Sequence, residues 1–337
     1  MRLRKDSIQE HNQLLLGEHQ RRFDFIAAGT EDAEAVIERL MAFQIAIPSW
    51  ALGSGGTRFG RFPIGGEPRN LEEKIEDIGL LHALNRSSGA ISLHIPWDIP
   101  ENPALIKTLA AQYGIRFDAM NSNTFQDQRD QQHSYKFGSL QHLDRSVRQQ
   151  AIAHNLEVIR HGVELGSTSL TVWLADGSCF PGQLNFREAF QHTLESLAAI
   201  YDALPADWKM FVEYKAFEPN FYSMTVGDWG LAWMIDASHN LKDPLEDLLQ
   251  SVEAILIAYA QALLVDRMKL GEAREQNDVV AAQQTLQHAF RTDVRPLVAE
   301  ARLRSGGALD TLAVYRAEQI RTRLITTRGS KTFATGL

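Results

Sequence analysis

Between residues 42 and 240, short runs rich in β-branched and aromatic residues take turns with longer segments of three- and four-residue apolar spacing. That rhythm constrains the fold more than any other feature. The runs are QIAIPSW (44–50), AISLHIPW (90–97), IRFDAMNSN (115–123), SLTVWLAD (169–176) and MFVEYK (210–215). A sixth, LAWMIDASHN (231–240), follows unusually soon. LEEKIEDIGLLHALN, PALIKTLAAQYG, QQAIAHNLEVIRHGVELG and REAFQHTLESLAAIYDAL separate the first five. Strand, helix, strand, helix at this rhythm predicts a parallel sheet, because each parallel strand needs a crossover to return the chain.

The flanks have a different pattern. Residues 6–41 are charged and amphipathic and predict one or two leading helices. From Pro244 onward apolar residues recur at helical spacing and no strand run returns. The chain thus divides into 1–41, a β/α region over 42–240, and a helical region over 241–337. The apolar stretch AILIAYAQALLV (254–265) is too short to span a bilayer and is interrupted by Gln261, so it fits a core helix better. The first residues, MRLRKDSIQEHNQ, lack the apolar segment of a secretory signal. A single cysteine, Cys179, cannot form an internal disulfide and suits a reducing compartment. The expectation is a cytoplasmic protein. A net charge of −8 without a basic stripe argues against nucleic-acid binding.

In parallel α/β folds, functional residues collect at the C-terminal ends of strands. Here those ends carry Trp50, His94 and Trp97, Asn121 and Asn123, Trp173 and Asp176, Glu213 and Lys215, then Asp236 and His239. Each alone is more often packing or a satisfied hydrogen bond, but six runs ending this way are harder to dismiss. Trp50, Trp97, Phe125 and Trp173 among polar groups suit a sugar, whose C–H faces stack on rings while its hydroxyls take hydrogen bonds. Core packing accounts for the same rings. In FVEYKAFEP, Glu213 and Lys215 share one strand face while Val212 and Tyr214 take the other. A salt bridge and a metal ligand beside a substrate-polarising lysine both satisfy that spacing.

Other features carry less. LGSGGTRFGRFPIGG (52–66) lacks both phosphate-binding glycine patterns, since Arg58 stands where the third glycine would fall; it reads as a long loop able to close over a site. His154, Glu157 and His161 share a helix face that is more simply solvated than metal-binding. No His-Glu-x-x-His signature or nucleophile elbow is present, and Cys179 has no nearby basic group.

Taken together, IPSWALGSGGTRFGRFP, ISLHIPWD, MNSNTFQDQ, LTVWLADG, FVEYKAFEPNFYS and WMIDASHN resemble the L-rhamnose isomerase family in its broad-specificity bacterial branch. The matches run in order along nearly the whole chain. The resemblance implies a (β/α)8 TIM barrel of the xylose-isomerase type, assembled as a homotetramer. It also implies metal-dependent interconversion of L-rhamnose and L-rhamnulose with two divalent ions, commonly Mn²⁺. By resemblance Glu213 bridges the metals, Asp236 is a carboxylate ligand of the first metal, and Lys215 contacts the reacting oxygen. Trp50, His94, Trp97, Phe125 and Trp173 would form the sugar-pocket wall, and Phe59 would reach a neighbouring subunit's pocket.

The sequence departs from that pattern at Gly230–Leu231. In the family, further β/α units precede WMID and carry the remaining Asp and His ligands. Here about 15 residues separate Lys215 from Leu231, barely one crossover. Six strand candidates stand where a closed barrel needs eight, so two or more β/α units are expected to be absent. Such a barrel would leave two strand edges unpaired. The expected consequence is impaired or lost isomerase activity, the alternative being a non-catalytic deletion variant or a remnant that binds sugar or a partner. Metal-dependent phosphodiesterases share this barrel type, but the acidic balance counts against acting on DNA.

Overall fold

The computed structural model describes residues 3, 6–52, 65–174, 176–180, 182–214, 223–224 and 243–329. Two helices lead, α1 (Ser7–Ala28) and α2 (Ala33–Ala42). The β/α region then runs β1 (Ala46–Pro48), α3 (Leu71–Asn85), β2 (Ala90–Ser92), β3 (His94–Ile95), α4 (Pro103–Gln112), β4 (Arg116–Phe117) and β5 (Met120–Ser122). It continues with α5 (Arg145–Leu165), β6 (Ser169–Leu174), β7 (Gly177–Ser178), α6 (Phe186–Tyr201), β8 (Lys209–Tyr214) and β9 (Ser223–Met224).

The starts of these helices are written locally. Asn70, Asn102, Asp144 and Asn185 each accept a backbone N–H of the first turn of α3, α4, α5 and α6. Pro103 opens α4, where a missing N–H costs nothing.

The first five strand runs all become parallel strands, laid side by side in sequence order. Two of them are interrupted, so that β2 with β3 and β4 with β5 each count as one rung. Sequential order without a switch point belongs to the α/β barrel class, not to the doubly wound sheet. The described strands form an arc of such a barrel. The sixth run, 231–240, lies outside the described residues.

One face of the arc is the core. Ile47, Ile91, Leu93, Ile95, Leu170, Val172 and Leu174 are buried against the helices. The opposite, inner face carries Ala46, Ser92, His94, Thr171, Trp173 and Glu213, as period-two alternation requires. The third rung contains an irregularity. Ile91 faces Phe117 but His94 faces Asn121, so the third rung has one extra residue between those pairs. An inserted residue reverses the facing of everything beyond it, and here it puts Asn121 level with His94.

The helical C-terminal region comprises α7 (Pro244–Leu263), α8 (Arg267–Glu275), α9 (Val279–Arg291), α10 (Arg295–Arg304), α11 (Thr311–Ala317) and α12 (Ile320–Arg328). The apolar stretch 254–265 lies largely in α7, which buries Leu245, Leu248, Leu249, Val252 and Leu256. Among the described residues no single helix is long and apolar enough to cross a membrane. Arg328 anchors the last helix to α3 through a fork of two bonds to the Asp77 carboxylate, at 2.8 and 2.7 Å.

Candidate functional site

Five of the residues singled out in the sequence meet at the C-terminal ends of the first four rungs. Trp50 sits in the short turn after β1 and meets the His94 ring edge-on at 5.4 Å. His94 stacks on Trp97 at 4.3 Å with an interplanar angle of 18°. Phe125, three residues beyond β5, stands edge-on to both, at 5.7 and 6.3 Å. Its other side meets Trp173 at 3.8 Å. These rings come from four separate segments and form one continuous wall.

Glu213 adjoins the end of that wall. In the parallel register of β6 and β8, Trp173 lies level with Glu213, and both point to the inner face. Lys215 and Asp236, the other two polar candidates, lie outside the described residues, as does Phe59 of the 53–64 segment. Glu213 is therefore the one carboxylate of the expected metal pair that the structure positions. Among the described residues no group of three or more His, Cys, Asp or Glu side chains is placed to hold a metal ion. A divalent ion of the kind the resemblance implies would need donors beyond these.

His94 is 4% exposed, and burial depresses its basicity to a pKa of about 3, against the opposing pull of the Asp98 carboxylate. It is a neutral imidazole in the folded protein at any ordinary pH. Asp98 is the hub that holds this corner together. Its carboxylate accepts the hydroxyl of Ser49, the backbone N–H of His94 at 2.8 Å and the ammonium of Lys74 from α3. The turn after β1, the end of the second rung and the helix between them are thus tied to one buried group.

Two polar residues have roles that the sequence pattern did not suggest. The face of α5 bearing His154, Glu157 and His161 reads as solvated, but both histidines are largely covered while Glu157 is half-exposed. His154 Nε2 accepts the backbone N–H of Asn123 at 3.0 Å, fixing the end of the third rung from behind. Burial lowers its pKa, which keeps that nitrogen available as an acceptor. Asp176, at the end of the fourth rung, is committed to structure. Its buried carboxylate accepts the backbone N–H of Ser139 and is further held by the backbone of Leu140 and Gln141. It pins the loop between β5 and α5 over the sheet end. Nδ1 of His94, the amide of Asn123 and the hydroxyl of Thr124 are buried without a hydrogen-bond partner among the described residues.

Comparison with known proteins gives two relatives that match most of this chain. A probable sugar isomerase of Mesorhizobium japonicum is 40% identical over 388 residues, covering 90% of this chain and 90% of that protein. A probable sugar isomerase of Rhizobium meliloti is 40% identical over 390 residues, covering 90% and 91%. Both matched spans exceed the 337 residues of this chain, so the relatives carry residues inside the match that this chain does not. No family model matches. Among solved structures, D-psicose 3-epimerase of Clostridium cellulolyticum H10 with D-tagatose superposes with a TM-score of 0.34 at 13% identity, over 44% of this chain and 47% of that one. D-allulose 3-epimerase of a Methylomonas species with D-allulose gives 0.37 at 13%, over 67% and 69%. Superpositions this loose add nothing to the strand order itself.

Proposed function

We propose that this chain, which belongs to the family of those rhizobial sugar isomerases, holds a monosaccharide against the wall running from Trp50 to Trp173. The reaction that this site serves is aldose–ketose isomerisation, with L-rhamnose and L-rhamnulose as the pair and Mn²⁺ as the ion. In this chain the isomerisation is impaired. The observation that carries the reading is the junction of a continuous aromatic wall with Glu213 through the Trp173–Glu213 register.

Rings suit the C–H faces of a sugar, and neutral groups suit its hydroxyls. His94, uncharged and walled in by three rings, donates or accepts a hydrogen bond without bringing in a charge. The unspent hydrogen-bonding capacity of Asn123 and Thr124 beside Phe125 is of the same kind. What supports impairment is the surplus length of the relatives' matched spans. A segment lost at Gly230–Leu231 removes ligands and leaves the wall. Lys215 and Asp236 complete the proposed machinery, the first stabilising negative charge on the reacting oxygen and the second joining Glu213 on the ion.

Ketose formation from L-rhamnose, with added Mn²⁺ and with chelator, tests the catalytic half. Tryptophan fluorescence titrated with the same sugar tests the binding half. The expected result is quenching that saturates, with little or no turnover. Chelator-sensitive turnover at a rate typical of enzymes, with kcat of order 1–10³ per second, would show that the segment is not needed for catalysis. Absence of any sugar-dependent signal from folded protein would remove the wall's assigned role.

A further inference from the structure

A small recess lies where the C-terminal ends of α2, α3 and α10 meet the middle of α7. Leu40, Asn85, Arg86, Leu256, Arg302 and Ser305 line it, and it has room for a single water-sized particle. Two arginines come together there around the glycine turn that follows α10. A Cβ on Gly307 would lie 2.7 Å from Cγ of Arg302 and 2.9 Å from Cγ of Arg86. Gly306 has a φ of +78°, and a Cβ there would lie 3.2 Å from Nη2 of Arg86. Two like charges are thus packed against one turn, which is unfavourable unless something neutralises them.

The protein supplies only part of that neutralisation. Arg302 is 4% exposed; its Nη2 pairs with Glu253, and its Nη1 donates to the carbonyls of Ala308 and Leu309 at 3.3 and 3.4 Å. Among the described residues no carboxylate pairs with Arg86. His82 beside it adds no negative charge, and burial, helped by the Arg86 charge, lowers its pKa and keeps it neutral. Two cations and one carboxylate leave one positive charge in excess.

The polar groups still open at the recess are donors. Nε of Arg86 and Nε of Arg302 are both buried with no hydrogen-bond partner among the described residues. The acceptors around them already have donors. Phe43 bonds the carbonyl of Leu40, Ile45 that of Ser87, Ala308 that of Leu84, and Gln44 that of Arg86. Asn85 Oδ1 takes the N–H groups of Ser87 and Ser88, while the hydroxyls of Ser87 and Ser305 donate to the carbonyls of Asn85 and Ala301. A water molecule accepts from guanidinium groups but needs acceptors for its own hydrogens; an anion needs none.

We propose that this recess binds one chloride ion between the Nε–H groups of Arg86 and Arg302, as a counter-ion that ties α10 to the end of α3. Size sets the class, since a monatomic halide fits the space of one water molecule and phosphate, sulfate or a carboxylate does not. The apolar lining of Leu40, Leu256, Val298 and Ala301 lowers the local dielectric and strengthens the attraction. Arg86 and Ser87 precede β2, so the site lies at the N-terminal end of the sheet, opposite the aromatic wall. It does not rest on the proposed sugar chemistry.

Bromide, which replaces chloride and scatters X-rays anomalously, tests it. Crystals of the full chain soaked in sodium bromide should show an anomalous peak in contact with both Nε atoms. In solution, urea unfolding is followed at fixed ionic strength while chloride replaces gluconate. The folded-to-unfolded ratio should rise nearly tenfold for each tenfold rise in chloride above its Kd. Arg86→Met keeps the aliphatic stem and removes the donors and the charge, so that dependence should vanish. Water in place of the peak, or bromide at adventitious surface positions only, overturns the proposal. So does a chloride dependence that is equal in the parent and in Arg86→Met.

Discussion

Trp173 and Glu213 occupy matched positions on neighbouring parallel strands, so the last ring of the aromatic wall and a strand-end carboxylate face the same side of the sheet. Phe125, 3.8 Å from Trp173, links that pair to the rings of the other rungs. A sugar stacked on the wall as proposed would face the same side of the sheet as that carboxylate.

Removing the central ring should break the wall in two. Phe125→Ala is expected to weaken L-rhamnose binding by about tenfold, near the upper end of what one aromatic contact contributes. Glu213→Gln should leave the affinity within about threefold and abolish any residual turnover. Fluorescence titration and a ketose assay on the two variants separate these effects.

His94 should make the protein sensitive to acid. Above pH 6.5 the ring is neutral in the folded and the unfolded chain alike. Below it the unfolded chain takes up a proton that the folded chain refuses until about pH 3, so stability falls as pH falls through that window. Between pH 7 and pH 5 the loss is about 2 kcal/mol. His94→Phe keeps the stacked ring and should remove that portion of the pH dependence, as judged by urea midpoints at the two values.

Asp176 should act with the opposite sign. Burial lifts its pKa to about 6, against the pull of the Ser139 backbone and side chain. From roughly pH 4 to 6 the folded chain then holds a proton that the unfolded chain has lost, so stability falls as pH rises through this window. Asp176→Asn is expected to flatten that limb while retaining the loop contact in part. Because His94 contributes the opposite slope over the same range, urea midpoints at pH 4 and pH 6 should show the variant losing more stability than the parent as pH falls.

Asp98 should be the costliest single loss at the site. Asp98→Ala strands the partly covered Lys74 ammonium and frees Ser49 and the His94 N–H together, for about 3–5 kcal/mol of stability. Adding Lys74→Met should recover part of that loss, because an uncompensated charge is no longer held against the sheet. Denaturant unfolding of the two single variants and the double completes the cycle.

The sequence by itself determined the parallel arc. Period-two and period-3.6 patterns are local, and each of the first five strand runs became a rung because its apolar positions had to be covered by the helix that follows. The motif matches likewise gathered Trp50, His94, Trp97, Phe125 and Trp173 on one list, and the strand-end rule put them at one end of the sheet. Tertiary structure decided what pairing and burial control. The extra residue in the third rung, which sets Asn121 level with His94, is invisible without a partner strand to count against. His154 and Asp176 resembled a solvated histidine and an active-site acid; each is committed to backbone N–H groups that only the folded chain brings within reach. Asp98, a single acid after a tryptophan in the sequence, became the hub because two donors from distant segments, Ser49 and Lys74, converge on it beside the nearby His94 N–H. Such roles depend on long-range contacts, and those are set by the packing of the whole arc and not by any local run of residues.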